Sequence, residues 1–151
     1  MSLVSGTPAV PPCPRALVVD DEEAIRSILH RYLSRRGWQV DLADDGDMAL
    51  SFLDSLGAPP TQGYDLIIAD MRMERMGGAE LHRWLREHHP EVLDVFVVST
   101  GDAGDQETLK FLNEAQCRVL EKPFELPSLA EMVSNMLLEK ARQPGAIRVA
   151  G

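Results

Sequence analysis

The sequence predicts a doubly wound α/β domain, in which helices cover both faces of a parallel sheet. Three observations carry that expectation. Five short runs read as strands apolar along their length, each is followed by a segment of helical period, and Gly- or Pro-rich breakers separate the units. At 151 residues the chain fits one such domain with little room for a second.

The elements follow in order. Ala16-Leu17-Val18-Val19 is a compact β-like run, and Ala24, Ile25, Ile28, Leu29, Tyr32 and Leu33 after it form one helical stripe that Gly37 closes. Gln39 to Ala43 is the second strand, followed by helix positions Ala49, Phe52, Leu53 and Leu56. A breaker-dense loop, Gly57 to Gly63, precedes the third strand, Leu66-Ile67-Ile68-Ala69. Leu81, Trp84 and Leu85 mark the third helix and Val95-Phe96-Val97-Val98 the fourth strand. Leu109, Leu112 and Ala115 give a short fourth helix, and Arg118 to Leu120 the fifth strand. Pro127 opens a last helix with Leu129, Ala130, Val133, Met136 and Leu137 inward. Residues 1–14 are a Pro-rich leader or linker, 15–141 the folded domain and 142–151 a patternless tail.

Composition excludes several function classes. With 44% apolar and 26% charged residues the chain is neither disordered nor fibrous. Its net charge of −9 repels phosphate backbones and anionic lipid, so direct nucleic-acid binding and membrane docking are poor readings. No apolar run approaches the roughly 18–20 residues that span a bilayer, and the N-terminus lacks the basic and apolar regions of a secretory signal. Cys13 and Cys117 form no C-x-x-C pair and suit ordinary thiols in a reducing cytosol.

In doubly wound sheets ligands bind beyond the carboxyl ends of the strands, so function turns on what stands there. Strand one ends in Asp20-Asp21-Glu22-Glu23, strand three in Asp70, strand four in Ser99-Thr100-Gly101 and strand five in Glu121-Lys122-Pro123-Phe124. Singly, each reads as a helix cap, a turn or a solvated exit. Together, Asp20, Asp21 and Asp70 would repel one another on one edge unless a hard divalent cation holds them ionised, and Mg²⁺ (or Mn²⁺) suits such a set. Carboxylates, a cation, the Thr100 hydroxyl and the Lys122 ammonium are the parts for moving a phosphoryl group onto Asp70.

These residues resemble the receiver domain of bacterial two-component response regulators. The acidic pair matches Asp20 and Asp21 in Val-Val-Asp-Asp-Glu, and the phosphoacceptor matches Asp70 in Leu-Ile-Ile-Ala-Asp-Met-Arg-Met. The hydroxyl residue matches Thr100 in Val-Val-Ser-Thr-Gly, and the lysine matches Lys122 in Glu-Lys-Pro-Phe. The resemblance implies the flavodoxin-like (CheY-like) strand order 2-1-3-4-5 and a Mg²⁺ shell of Asp21, Asp70, the Arg72 backbone carbonyl and, partly through water, Asp20. It further implies a Lys122–Pro123 bond that is often cis, and a cytoplasmic module phosphorylated by a histidine kinase or histidine phosphotransfer protein. A homodimer through the fourth and fifth helices is common among such domains.

Some positions depart from the family pattern. Val119 stands where an aromatic often rotates with the threonine, so an aromatic flip cannot be the readout there. Glu74 replaces a usual proline, whereas Met73, Met76 and Gly78 fit. Arg72 and Asp102 occupy two variable positions flanking the phosphoryl group and are expected to pair across the entrance, impeding the hydrolytic water. The stretch from Phe111 to Leu126 looks especially like receivers joined to hybrid sensor histidine kinases, which makes the chain either a stand-alone receiver or a piece of a longer protein.

Two other classes compete. Phosphohydrolases of the haloacid-dehalogenase type use similar groups, but they carry a second aspartate two residues after the nucleophile; Arg72 stands there and cannot donate a proton near neutral pH. A pseudo-receiver acting only through protein contacts is opposed by the intact set and kept open by Val119. Nucleotide-binding loops are absent. His30, His82, His88 and His89 lack metal spacing, Trp84 reads as packing, and Met71, Met73 and Met76 as gap-fillers.

Overall fold

A computed structural model describes residues 13–55, 63–73 and 75–142. Its strands are β1 (Arg15–Val19), β2 (Gln39–Ala43), β3 (Leu66–Asp70), β4 (Phe96–Thr100) and β5 (Arg118–Glu121). All are parallel, in the order β2-β1-β3-β4-β5. The connections are helices α1 (Glu23–Ser34), α2 (Gly46–Asp54), α3 (Gly78–His88) and α4 (Gln106–Ala115), and α5 (Leu126–Arg142) closes the fold. The predicted sheet and its implied order are both present. The order reverses between β1 and β3, because the chain runs out to β2 and returns, and the crevice of a doubly wound fold opens there.

Alternation along the strands divides the core in two. Leu17, Val19, Ile67, Ala69, Phe96 and Val98 face Ala49 and Leu53 of α2 and Leu81 and Leu85 of α3. Ala16, Val18, Leu66, Ile68, Val97 and Leu120 face Leu29 and Leu33 of α1 and Leu129 and Val133 of α5. Both faces of β1, β3 and β4 are covered, which is why these strands read as unbroken apolar runs. Each large side chain so buried contributes roughly 1.5–3 kcal/mol relative to exposure.

Several expectations needed correction. The outer strands β2 and β5 are only partly buried and carry Gln39, Asp41, Arg118 and Glu121. Val95 closes a 3₁₀ turn, Pro90–Val95, that the sequence reading missed, so β4 begins at Phe96. Ile28, Leu109 and Leu137 are exposed rather than inward. In α4 the fully buried position is Thr108, with Phe111 and Leu112 packed partly against the core, so the helical phase is set one residue earlier than Leu109 implied. Met71 is buried, and Met73 and Met76 pack beside it as gap-fillers. Both cysteines are free thiols. Leu56, Glu74 and most of the predicted leader, Gly57–Gly63 loop and tail lie outside the described residues.

Both ends of the described chain sit at the amino-terminal edge of the sheet. Pro14 O accepts the Gln39 N–H at 2.8 Å, and Glu139 near the end of α5 pairs with Arg118 at the start of β5. No helix among the described residues is long and apolar enough to cross a membrane.

Candidate functional site

The alternation that builds the core also aims the site. Asp20 continues the side of β1 that holds Ala16 and Val18, Asp70 the side of β3 that holds Leu66 and Ile68, and Lys122 the side of β5 that holds Leu120. All three therefore leave the sheet toward the α1 and α5 face. The ladder runs on past the strand ends and fixes them: Asp20 N–H donates to Ala43 O at 3.1 Å, Met71 N–H to Ser99 O at 2.7 Å and Lys122 N–H to Thr100 O at 2.7 Å. The Lys122–Pro123 peptide is cis.

The side chains converge as the sequence reading expected. Lys122 Nζ lies 2.9 Å from Asp20 Oδ2, 3.3 Å from Asp70 Oδ2 and 3.2 Å from Glu22 Oε1. One carboxylate oxygen from each of Asp20, Asp21 and Asp70 lies within 4.8 Å of the others. Asp21, Glu22, Asp70, Arg72, Thr100 and Lys122 line a hollow of about 310 Å³, with Asp20 buried behind it. Thr100 Oγ1 accepts the Asp102 N–H at 3.1 Å, and Arg72 N–H reaches Asp70 Oδ1 at 3.4 Å. Gly78 lets α3 start against this edge, since a Cβ there would sit 2.9 Å from Asp70 O and 3.0 Å from Val98 Cγ2.

Electrostatics follow from this crowding. Burial, and then the charge of Asp20, push the Asp70 carboxyl up from 3.8 to about 6, against the pull of Lys122 and the Arg72 N–H. Burial works against the Lys122 ammonium, but its close ion pair with Asp20 and the charge of Asp70 outweigh it and hold its pKa above the ordinary range. Asp20 Oδ1 accepts the Glu22 N–H at 2.9 Å. Its Oδ2 is fully buried and, although close to Lys122, receives no well-directed hydrogen bond. Three converging carboxylates, one with an under-satisfied oxygen, balanced by a single ammonium, form an oxygen donor set that fits a hard divalent cation such as Mg²⁺.

Two features escaped the sequence reading. Glu22 is a third acidic partner of Lys122; its place beside Asp21 was visible, but not its reach toward the fifth strand. The expected pair of Arg72 with Asp102 does not form. Arg72 Nη2 instead lies 2.5 Å from Asp105 Oδ2, and Nη1 3.9 Å from Glu107 Oε1. Asp105 caps α4, and its Oδ2 is already fixed by the Thr108 N–H at 3.1 Å and the Thr108 hydroxyl at 3.3 Å, so it presents a preset acceptor. Those bonds, the Thr108 N–H foremost, hold the Asp105 pKa below its usual value. Val119 packs half-buried on the α2/α3 side of the core and brings no ring to the site.

A larger groove, about 660 Å³, opens at the opposite edge of the sheet among Tyr64, His82, Arg86, Glu114 and Cys117. Among the described residues the trio of potential metal ligands lies at the smaller hollow and none forms in this groove.

Comparison with known proteins agrees with this geometry. Residues 16–134 match the family model of the response regulator receiver domain. The chain is 36% identical over 121 residues to the sensor kinase CckA of Brucella abortus, a match covering 80% of this chain and 12% of that protein. It is 33% identical over 132 residues to the response regulator MprA of Mycolicibacterium vanbaalenii, covering 87% of this chain and 54% of that one. Among solved structures it resembles the signal receiver domain of an HD domain-containing protein from Pseudomonas fluorescens, with a TM-score of 0.73 and 25% identity over 87% of this chain and 99% of that one.

Proposed function

The chain belongs to the response regulator receiver domain family, and from that membership we propose that it accepts a phosphoryl group from a phosphohistidine onto Asp70, with Mg²⁺ held at the acidic edge, and thereby switches an interaction surface. The observation that carries this reading is the convergence of the Asp20, Asp21 and Asp70 oxygens within 4.8 Å, with Lys122 Nζ 3.3 Å from Asp70.

In this mechanism an Asp70 carboxylate oxygen attacks phosphorus in line. The new O–P bond forms as the donor N–P bond breaks, and the electron pair of that bond goes to the imidazole nitrogen. In the metal-free domain burial and the Asp20 charge hold the Asp70 carboxyl at about 6, so it is mostly ionised near pH 7 and available as the attacking carboxylate. Lys122 pairs with a phosphoryl oxygen, and Thr100 donates its hydroxyl to another. Asp20, Asp21, Asp70 and the Arg72 carbonyl would hold Mg²⁺, which when bound would supply positive charge against the phosphoryl oxygens. Water attack at phosphorus then releases phosphate and restores the carboxylate.

The donor in this reading is a histidine kinase or histidine phosphotransfer protein in the cytoplasm. The likeness to part of a sensor kinase supports a receiver working beside a kinase. Incubation with acetyl phosphate and Mg²⁺ tests the proposal by mass spectrometry. The native chain should gain one phosphoryl group, and neither Asp70→Asn nor the chelator-treated protein should gain any; equal labelling of Asp70→Asn would refute the assignment.

A further inference from the structure

We propose that Arg72 exchanges anions: it is held by Asp105 at the start of α4 in the resting domain, and it leaves Asp105 to bind the phosphoryl oxygens once Asp70 is phosphorylated. The inference rests on Asp70 being the phosphoacceptor. Arg72 follows Asp70 by two residues, its N–H reaches Asp70 Oδ1 at 3.4 Å, and it lines the same hollow as Thr100 and Lys122.

The charge at this edge calls for a further cation. Asp20, Asp21, Glu22 and Asp70 outnumber the one ammonium of Lys122, and a bound divalent ion would still leave the edge net acidic, so a phosphoryl dianion finds little uncommitted positive charge. A guanidinium fits phosphate oxygens in a planar, two-point arrangement, with charge-assisted hydrogen bonds. Leaving Asp105 costs little. The Arg72 side chain is 58% exposed, and solvent-exposed ion pairs of this kind are weak. Asp105 keeps its cap when Arg72 departs, because the Thr108 N–H and hydroxyl remain on Oδ2. What changes is the charge at the start of α4, where Asp105 and Glu107 lose their shared counter-ion. Phosphorylation thus reaches α4 through charge, without a ring at Val119.

The test uses beryllofluoride with Mg²⁺ as the phosphoryl mimic, followed by ¹⁵N NMR of the native chain, Arg72→Ala and Arg72→Lys. On adduct formation the native Arg72 Nε–Hε signal and the Thr108 amide should both shift. In Arg72→Ala the Thr108 amide should already be displaced and should move less than half as far, and aspartyl phosphate should hydrolyse several-fold faster. Arg72→Lys, which keeps the charge but not the two-point geometry, should fall between. An unchanged Arg72 Nε–Hε signal, or a native-sized Thr108 response and native lifetime in Arg72→Ala, overturns the exchange. The ¹⁹F signal of bound beryllofluoride separates the two readings. Adduct without movement of Arg72 defeats only the exchange, whereas no adduct on the native chain defeats the phosphoacceptor reading and the exchange with it.

Discussion

Replacing Asp70 by asparagine should stabilise the metal-free domain, and the gain should grow with pH. In the folded chain the Asp70 carboxyl titrates at about 6, against 3.8 for an ordinary aspartate, so the folded state holds this proton more tightly than the unfolded state does. Its contribution to folding is therefore fully present below pH 3.8 and is lost as the pH rises through 6. That gap corresponds to roughly 3 kcal/mol weighing against the fold at pH 7. The attraction of Lys122 is already included in that balance, and the side chain is only 10% exposed, so solvent screening takes little from it. Asparagine keeps the shape and removes the titration. Urea unfolding followed by far-ultraviolet circular dichroism, in chelator at pH 4, 5, 6 and 7, should show the variant and native curves diverging from pH 4 upward. By pH 7 the variant should lead by up to about 3 kcal/mol, or on the order of 10 °C in melting temperature for a domain this size. Superimposable pH curves for the two proteins would refute the claim that Asp70 bears a buried, repelled charge.

Three further outcomes follow from the same geometry. Mg²⁺ at a hundredfold excess over its Kd should stabilise the native chain by about 2.7 kcal/mol, and Asp21→Asn should lose most of that gain in thermal melts. Gly78→Ala should cost about 1–3 kcal/mol in urea unfolding and slow labelling of Asp70 by acetyl phosphate, because the added methyl presses on the Asp70 carbonyl and Val98. Burial pushes the Cys117 thiol up to about 11, so iodoacetamide at pH 8 should alkylate exposed Cys13 well before Cys117, as read by peptide mass spectrometry.

The site was legible because the rule that reveals it is local. An apolar run ending in Asp20, Asp70, Thr100 or Glu121-Lys122 announces both a buried strand and the residue at its carboxyl end, and parallel pairing brings those ends to one edge. The partner of Arg72 was not legible: whether a loop offers Asp102 or Asp105 depends on turns between β4 and α4 that leave no periodic trace. Asp105 is the partner whose carboxylate the α4 cap already orients, through the Thr108 N–H, toward Arg72. Helix phase failed for a related reason. Leu109 looks apolar enough to be buried, but Thr108 takes the inward position in α4; in α5 Met136 is buried as expected while its neighbour Leu137 turns outward, and one residue of rotation is within the tolerance of a pattern built from three or four leucines. The 3₁₀ turn at Pro90–Val95 is too short to leave a period at all.

The placement of Pro14 and Glu139 has a consequence for any longer polypeptide that carries this unit. The reactive cavity occupies one pole and both covalent exits leave from the other, with the full height of the sheet between them. A tethered neighbour cannot plug the mouth by simple adjacency; its linker must first climb the side of the layered body. A module joined at either of these ends therefore reaches the cavity only through a linker long enough to span that height, so the length and stiffness of the linker set its access.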